Sequence, residues 1–266
     1  MTKVNSIRLL ALDLDGTLLN EKYELNEEVR EAVIHIQAEG MIVVVATGRD
    51  KKSADPFLQA LKANRYSITS GGALLWVDGS FIKQSELKAT QVINILELGR
   101  KFNAGIFVDQ PEQSWRLGSK NYLEKYSHVG DLTLSYQIED LLNPLPVKIT
   151  LIHENKTLLE IRRQLEDHDP KISKVFSSEN ILDLCPYGTD KGAALTRLSR
   201  KLGIRKNEIV SVGDSENDIS MFLASKFSFA MGNAPLPVKQ SASFVVPSNV
   251  ENGLVLALDS IRKLRE

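Results

Sequence analysis

Residues 7–19, IRLLALDLDGTLL, constrain this chain more than any other stretch. Positions 7–12 form an almost wholly apolar run of strand length that stops abruptly at Asp13. A continuous apolar run, rather than an alternating one, is the pattern of a strand covered on both faces, as in a parallel sheet. Asp13 and Asp15 then fall where the strand runs out, the crevice in which open α/β sheets hold their ligands. Gly16 lets the chain turn there, and Thr17 adds a hydroxyl to the same loop. Two carboxylates so spaced can divide labour, one attacking as a nucleophile while the other moves a proton. Together they also offer the hard oxygen donors suited to Mg²⁺. A plain turn would account for Gly16 and one aspartate, but not for both acids directly after a buried strand.

The next segments read as companions of that strand. Asn26 is placed to cap a helix, with Glu27 and Glu28 in its first turn and Gly40 as its stop. Residues 41–46 make a second buried strand that ends in Thr47, Gly48 and Arg49. Strand, helix and strand with short connections form a right-handed unit, so Thr47 should face the crevice of Asp13. A third strand is expected over 65–70. Residues 73–77 and 81–83 flank Asp78-Gly79, a strong hairpin signal.

From about Gln84 the pattern changes. A helix is expected over 87–101, strands over 105–109 and 114–118, and a short helix over 120–126. A strand over 147–153, an amphipathic helix over 155–167 and short strands near 174–177 and 181–184 follow. This is the pattern of a separate α+β module of residues 84–185, inserted into a core domain of 1–83 and 186–266. Trp115 and Arg116, on its first hairpin, are candidate ligand contacts.

The chain then returns to its first style. Residues 188–192, GTDKG, open a helix whose Lys191 stands near the N-terminus. A cation opposes the helix dipole there, and has a use if an anion docks against the same amides. Alone, a solvent-facing lysine is the plainer reading. The strand 208–212 ends in GDSEND, with Asp214 at the strand end and Asp218 one helical turn further on. Closing strands over 227–231 and 244–246 lead to a last helix over 251–263.

Composition narrows the partners. Lys and Arg total 33 against 34 Asp and Glu, so neither nucleic acid nor an anionic membrane is expected to bind. The single cysteine, Cys185, rules out an internal disulfide framework and reads as a buried inert thiol in a reducing, cytoplasmic setting. The first residues lack an apolar signal core, and no run reaches membrane-spanning length.

The order DLDGTLL, VVVATGR, GTDKG, GDSENDISM resembles the four motifs of the haloacid dehalogenase (HAD) superfamily of aspartyl-phosphate-forming phosphatases. AMGNA and SNVENG make it similar to the Cof-type branch, subfamily IIB. The resemblance implies an α/β fold, a Rossmann-like doubly wound, mainly parallel sheet with an inserted C2-type α+β cap. It implies a Mg²⁺-dependent phosphomonoester hydrolase acting on small phosphorylated metabolites, sugar phosphates or similar. Asp13 would be the nucleophile, and Asp15 would protonate the leaving oxygen and later activate water. Mg²⁺ would sit on Asp13, Asp214 and the Asp15 carbonyl, with Asp218 and Asn217 ordering that shell. Thr47, Gly48, Lys191 and Asn217 would hold the phosphoryl oxygens. Where this family commonly has Asn-Gly-Ala after the third strand, the chain has Gly71-Gly72-Ala73. A phosphomutase using the same intermediate, and a non-catalytic phospho-receiver or ligand-sensing module, are the alternatives. A monomer or small homo-oligomer is expected.

Overall fold

The computed structural model describes residues 7–124 and 137–265. Among these the strands form two sheets. The larger contains β1 (Leu9–Leu12), β2 (Ile42–Ala46), β3 (Tyr66–Thr69), β4 (Leu74–Val77) and β5 (Ser80–Lys83). Far along the chain it gains β11 (Ile209–Gly213), β12 (Phe227–Ala230) and β13 (Phe244–Val245). Its order is β13-β12-β11-β1-β2-β3-β4-β5. Pairing is parallel from β13 through β3 and antiparallel only in the β3-β4-β5 edge. The smaller sheet, β7-β6-β8-β10-β9, is antiparallel throughout. Its strands are β6 (Gly105–Asp109), β7 (Ser114–Gly118), β8 (Lys148–Ile152), β9 (Ile172–Ser178) and β10 (Ile181–Pro186).

The helices of the larger sheet are α1 (Glu27–Ala38), α2 (Lys51–Ala60), α7 (Lys191–Lys201), α8 (Ile219–Leu223), α9 (Leu236–Ser241) and α10 (Gly253–Arg265). Those of the smaller are α3 (Ala89–Lys101), α4 (Lys120–Glu124), α5 (Ile138–Leu142) and α6 (Asn155–His168). The expected helix over 120–126 is seen as far as Glu124, and its last two residues lie outside the described ones. Helix α2 was not expected. Pro56 stands inside it and obscures its periodicity, while Asp50 caps it by accepting from the Ser53 N–H at 2.9 Å.

Successive residues of the central strands serve opposite faces. Leu10, Leu12, Val43, Val45, Val210 and Val212 pack under α1 and α10. Leu9, Ala11, Val44 and Ala46 pack under Ala194, Leu195 and Leu198 of α7. Each fully buried side chain of this kind stabilises the fold by about 1.5–3 kcal/mol, so β1–β2–β11 is the most firmly held part of the chain. Its strand ends are therefore rigid mounts for the loops beyond them.

The smaller sheet uses its two faces differently. Ile106, Val108, Ile149, Leu151, Leu182 and Leu184 bury one face against α3 and α6. The alternate positions carry Asp109, Arg116, Lys148, Thr150 and Asp183, which are also buried. They face the loops of the larger sheet. Lys148 Nζ donates to the Gly48 carbonyl, and Arg116 Nη2 reaches Asp50 Oδ2 at 2.8 Å.

The loop after β3 meets the start of α7 with no room to spare. Gly72 adopts φ +103°, and a Cβ there would lie 2.2 Å from the Asp190 carbonyl oxygen. Gly72→Ala is therefore expected to destabilise the protein by roughly 2 kcal/mol or more, lowering the melting temperature by about 4–8 °C. An unchanged melting temperature would mean that these two segments do not pack as described.

Candidate active site

Three buried strand ends converge. Asp13 follows β1, Thr47 follows β2 and Asp214 follows β11, all joined by parallel pairing. Gly16 adopts φ +80°, and a Cβ on it would stand 2.3 Å from Asp214 Oδ2. Only glycine lets the first loop approach that carboxylate so closely. Thr17 Oγ1 donates to Asp214 Oδ1 at 3.2 Å, and Asn233 Nδ2 donates to Asp214 Oδ2 at 3.1 Å.

At the centre lies Lys191. Its side chain is 1% exposed, and Nζ donates to Asp13 Oδ1 at 2.5 Å and to Asp218 Oδ1 at 2.7 Å. The solvent-facing reading of this lysine is thus excluded. Burial alone would strip its proton, but Asp13 and Asp218 outweigh that and hold its pKa above the ordinary lysine value. Asp218 spends its other oxygen on the N–H groups of Asp214 and Ser215, at 2.9 Å each. Both of its oxygens are therefore occupied.

Asp13, Asp214 and Asp218 each present an oxygen, and these atoms lie within 4.8 Å of one another. Three carboxylates face one ammonium. Burial and then the Asp218 charge raise Asp13 well above the ordinary carboxylate range, and push Asp214 up to about 7. A hard divalent cation between Asp13 and Asp214 would remove that repulsion. The donor set is all oxygen, and the buried Asn217 Oδ1 beside it has no hydrogen-bond partner among the described residues. The residues present fit such an ion.

The remaining expected residues ring this cluster. Thr47 is buried and its Oγ1 accepts from the Arg49 N–H at 3.0 Å, so it also braces its own turn. Asp15, Gly48 and Asn217 line a cavity of about 140 Å³ between the two sheets, with Asp13 at its base. Asp15 is engaged by a residue that the sequence reading left outside the site. Arg49 Nη2 lies 2.5 Å from Asp15 Oδ1, and its Nε lies 2.9 Å from Oδ2.

Trp115 and Arg116 are not on the cavity wall. On β7 the pleat turns Trp115 toward the helix-covered face, where Nε1 donates to Gln110 Oε1 at 2.7 Å. Arg116 points the other way but is buried against Asp50 and Phe107. The wall is made instead by Tyr23 of the core and by Phe107, Lys148, Thr150 and Asp183 of the smaller sheet. Lys148 and Thr150 alternate with Ile149 and Leu151, a pattern that marks a two-faced strand but does not say that another sheet covers its polar face.

Lys191→Met removes the ammonium while keeping the side-chain length, leaving Asp13 and Asp218 unpaired. A loss of roughly 3–5 kcal/mol is expected in metal-free protein at pH 8. Asp13, whose pKa burial raises, regains its proton as pH falls, so the deficit should shrink at pH 5. Thermal melts at the two pH values check this, and an equal deficit at both would count against the cluster.

Comparison with known proteins identifies the family. Residues 10–258 match the family of haloacid dehalogenase-like hydrolases. The chain is similar to a 5-amino-6-(5-phospho-D-ribitylamino)uracil phosphatase of Bacillus subtilis, 28% identical over 253 residues, covering 95% of this chain and 94% of that one. It is also similar to an HMP-PP phosphatase of Yersinia enterocolitica, 31% identical over 240 residues, covering 88% of this chain and 86% of the other. Among solved structures, a haloacid dehalogenase-like hydrolase from Bacteroides thetaiotaomicron superposes with a TM-score of 0.83 at 27% identity, covering 96% of this chain and 99% of that one. Motifs, fold and family model agree: the chain belongs to the haloacid dehalogenase-like hydrolases, of the Cof type.

Proposed function

We propose that this chain is a Mg²⁺-dependent phosphomonoester hydrolase acting on small phosphorylated metabolites through an aspartyl phosphate on Asp13. The observation that carries this reading is the buried set of Asp13, Asp214 and Asp218 around Lys191, opening onto a cavity between the two sheets. Relatives named as phosphatases of a phosphoribitylamino-uracil and of HMP-PP support a small phosphorylated substrate. The lone buried cysteine fits a cytoplasmic setting, and no helix among the described residues is long and apolar enough to cross a membrane.

In this reading Asp13 attacks phosphorus, the bond from phosphorus to the leaving oxygen breaks, and Asp15 gives that oxygen its proton. Asp15 then takes a proton from water, which attacks the aspartyl phosphate and releases orthophosphate. An ion-paired carboxylate donates no proton, so Asp15 must leave the Arg49 fork before the first step. Mg²⁺, held by the Asp13 and Asp214 carboxylates and the Asp15 carbonyl, would neutralise charge on the phosphoryl oxygens. Lys191, the Thr47 hydroxyl, the Gly48 backbone and Asn217 hold those oxygens, and Asp218 keeps Lys191 and the Asp214 loop in place. Residues 84–185 act as the cap over the leaving group, and the hinge lies in the two connections near 84 and 186.

Two measurements check this. Mg²⁺-dependent release of orthophosphate from p-nitrophenyl phosphate is expected, and Asp13→Asn should lower it by roughly three orders of magnitude or more. A variant with near wild-type turnover would overturn the covalent route. The second concerns pH. Asp214 is raised from the ordinary value to about 7, so metal-free protein holds extra protons between those values and loses stability as pH rises through 7. Saturating Mg²⁺ should then raise the melting temperature by about 5–10 °C at pH 8, and by less at pH 5.5. An equal effect at both pH values would place the ion elsewhere.

A further inference from the structure

The turn after β2 is held partly by its own sheet and partly by the other one. Thr47 N–H donates to the Ile68 carbonyl at 2.9 Å, and the Thr47 carbonyl accepts from the Gly71 N–H at 3.0 Å. The Arg49 carbonyl accepts from the Ser70 N–H at 2.7 Å. These contacts all lie within the larger sheet and its loops. The peptide between Gly48 and Arg49 differs. Among the described residues the one donor to its carbonyl is Lys148 Nζ, which comes from β8 of the smaller sheet. Its N–H, that of Arg49, donates to Thr47 Oγ1 at 3.0 Å.

Lys148 is firmly aimed. It is 5% exposed, and its Nζ lies 3.4 Å from Asp109 Oδ2 and 3.4 Å from Asp183 Oδ1. Asp183 Oδ1 is fixed in turn by Thr150 Oγ1 at 2.6 Å. An ammonium has three protons, and the two carboxylates with the Gly48 carbonyl take all three. A lysine that only balanced Asp109 and Asp183 could stay within its own sheet, but this one reaches across the seam to a backbone oxygen.

A planar peptide cannot turn one end without the other. Holding the Gly48 carbonyl therefore sets the direction of the Arg49 N–H, and that N–H occupies a lone pair of Thr47 Oγ1. A hydroxyl that accepts there keeps its own proton for a phosphoryl oxygen. The ammonium on the carbonyl also polarises the peptide and makes its N–H a stronger donor.

We infer that Lys148 is a positioning residue for phosphoryl transfer, which acts through the Gly48–Arg49 peptide to aim the Thr47 hydroxyl. The inference rests on the phosphatase reading and deepens it. It gives the smaller sheet a part in the half of the site that all phosphomonoesters share, in addition to the wall around the leaving group.

The test is a double-mutant cycle on the full chain with Mg²⁺. Lys148→Met keeps the length and removes the ammonium, and Thr47→Val keeps the shape and removes the hydroxyl. In the wild-type background Lys148→Met is expected to lower kcat/KM for p-nitrophenyl phosphate by roughly ten- to hundredfold. It should also raise the dissociation constant of orthophosphate, which has no leaving group, by about fivefold. In the Thr47→Val background both losses should shrink to about twofold or less, because the group acted on is gone. Losses of the same size in both backgrounds overturn the inference, since a merely structural lysine behaves so. A loss in turnover without one in orthophosphate binding places Lys148 on the leaving group and also overturns it, as does no loss at all. Should Lys148→Met fail to fold, as its melting curve would reveal, the cycle is run in an Asp183→Asn background, where one charge of each sign is removed together. A wild-type chain that binds orthophosphate but turns over no ester overturns the phosphatase reading, while the binding cycle still decides this inference. One that does neither overturns both.

Discussion

One buried ammonium organises this protein. Taking a lysine out of water costs several kcal/mol unless good partners replace its hydration, and Lys191 finds Asp13 and Asp218. Those contacts tie the start of α7 to the end of β1 and to the turn beyond β11. Asp218 then folds its own loop by accepting two backbone N–H groups, which sets the direction of Asp214. Gly16 and Asn233 close around Asp214 from the other side. Each of these contacts follows from the ammonium being where it is. The cluster remains one cation short of balance, and that imbalance is what makes it a site rather than a salt bridge.

The two sheets divide the work through their periodicity. Central strands of the larger sheet are apolar at almost every position, Ser211 of β11 excepted, because helices cover both faces, so the polar groups of the site appear beyond the strand ends. Strands of the smaller sheet alternate, and the polar set of residues is turned inward over those ends instead of outward to water. A phosphoryl group needs charges fixed to within a fraction of an ångström, which rigid strand ends supply. The rest of a substrate needs a wall of varied side chains, which the alternating sheet supplies.

Much of this was legible from residues alone, and the rest failed for identifiable reasons. Asp13, Thr47 and Asp214 each follow an apolar run, so their convergence follows from the topology of parallel strands. Lys191 defied local reasoning, since its position opposes the helix dipole and its partners lie 178 and 27 residues away. Helix α2 escaped because Pro56 breaks its pattern. Trp115 and Arg116 looked like ligand contacts because an aromatic beside a cation draws the eye, yet the pleat sends them to opposite faces. Lys148, Thr150 and Asp183 went unremarked because polar residues at alternate positions normally face water. Nothing in their own neighbourhood says that another sheet covers them.

Much of the seam between the sheets is charged, with Asp50 and Arg116 across it and Lys148 on the Gly48 carbonyl, beside an apolar contact of Val147 with Ala73 and Leu74. An apolar seam of the same extent would expose greasy surface whenever it parted, and such surface sticks to other molecules. Carboxylates, ammonium and guanidinium groups rehydrate when separated, which recovers much of the energy lost with each contact. A joint of this kind exposes little adhesive surface when it parts, which suits the cap motion proposed above, with the solvent as its only lubricant.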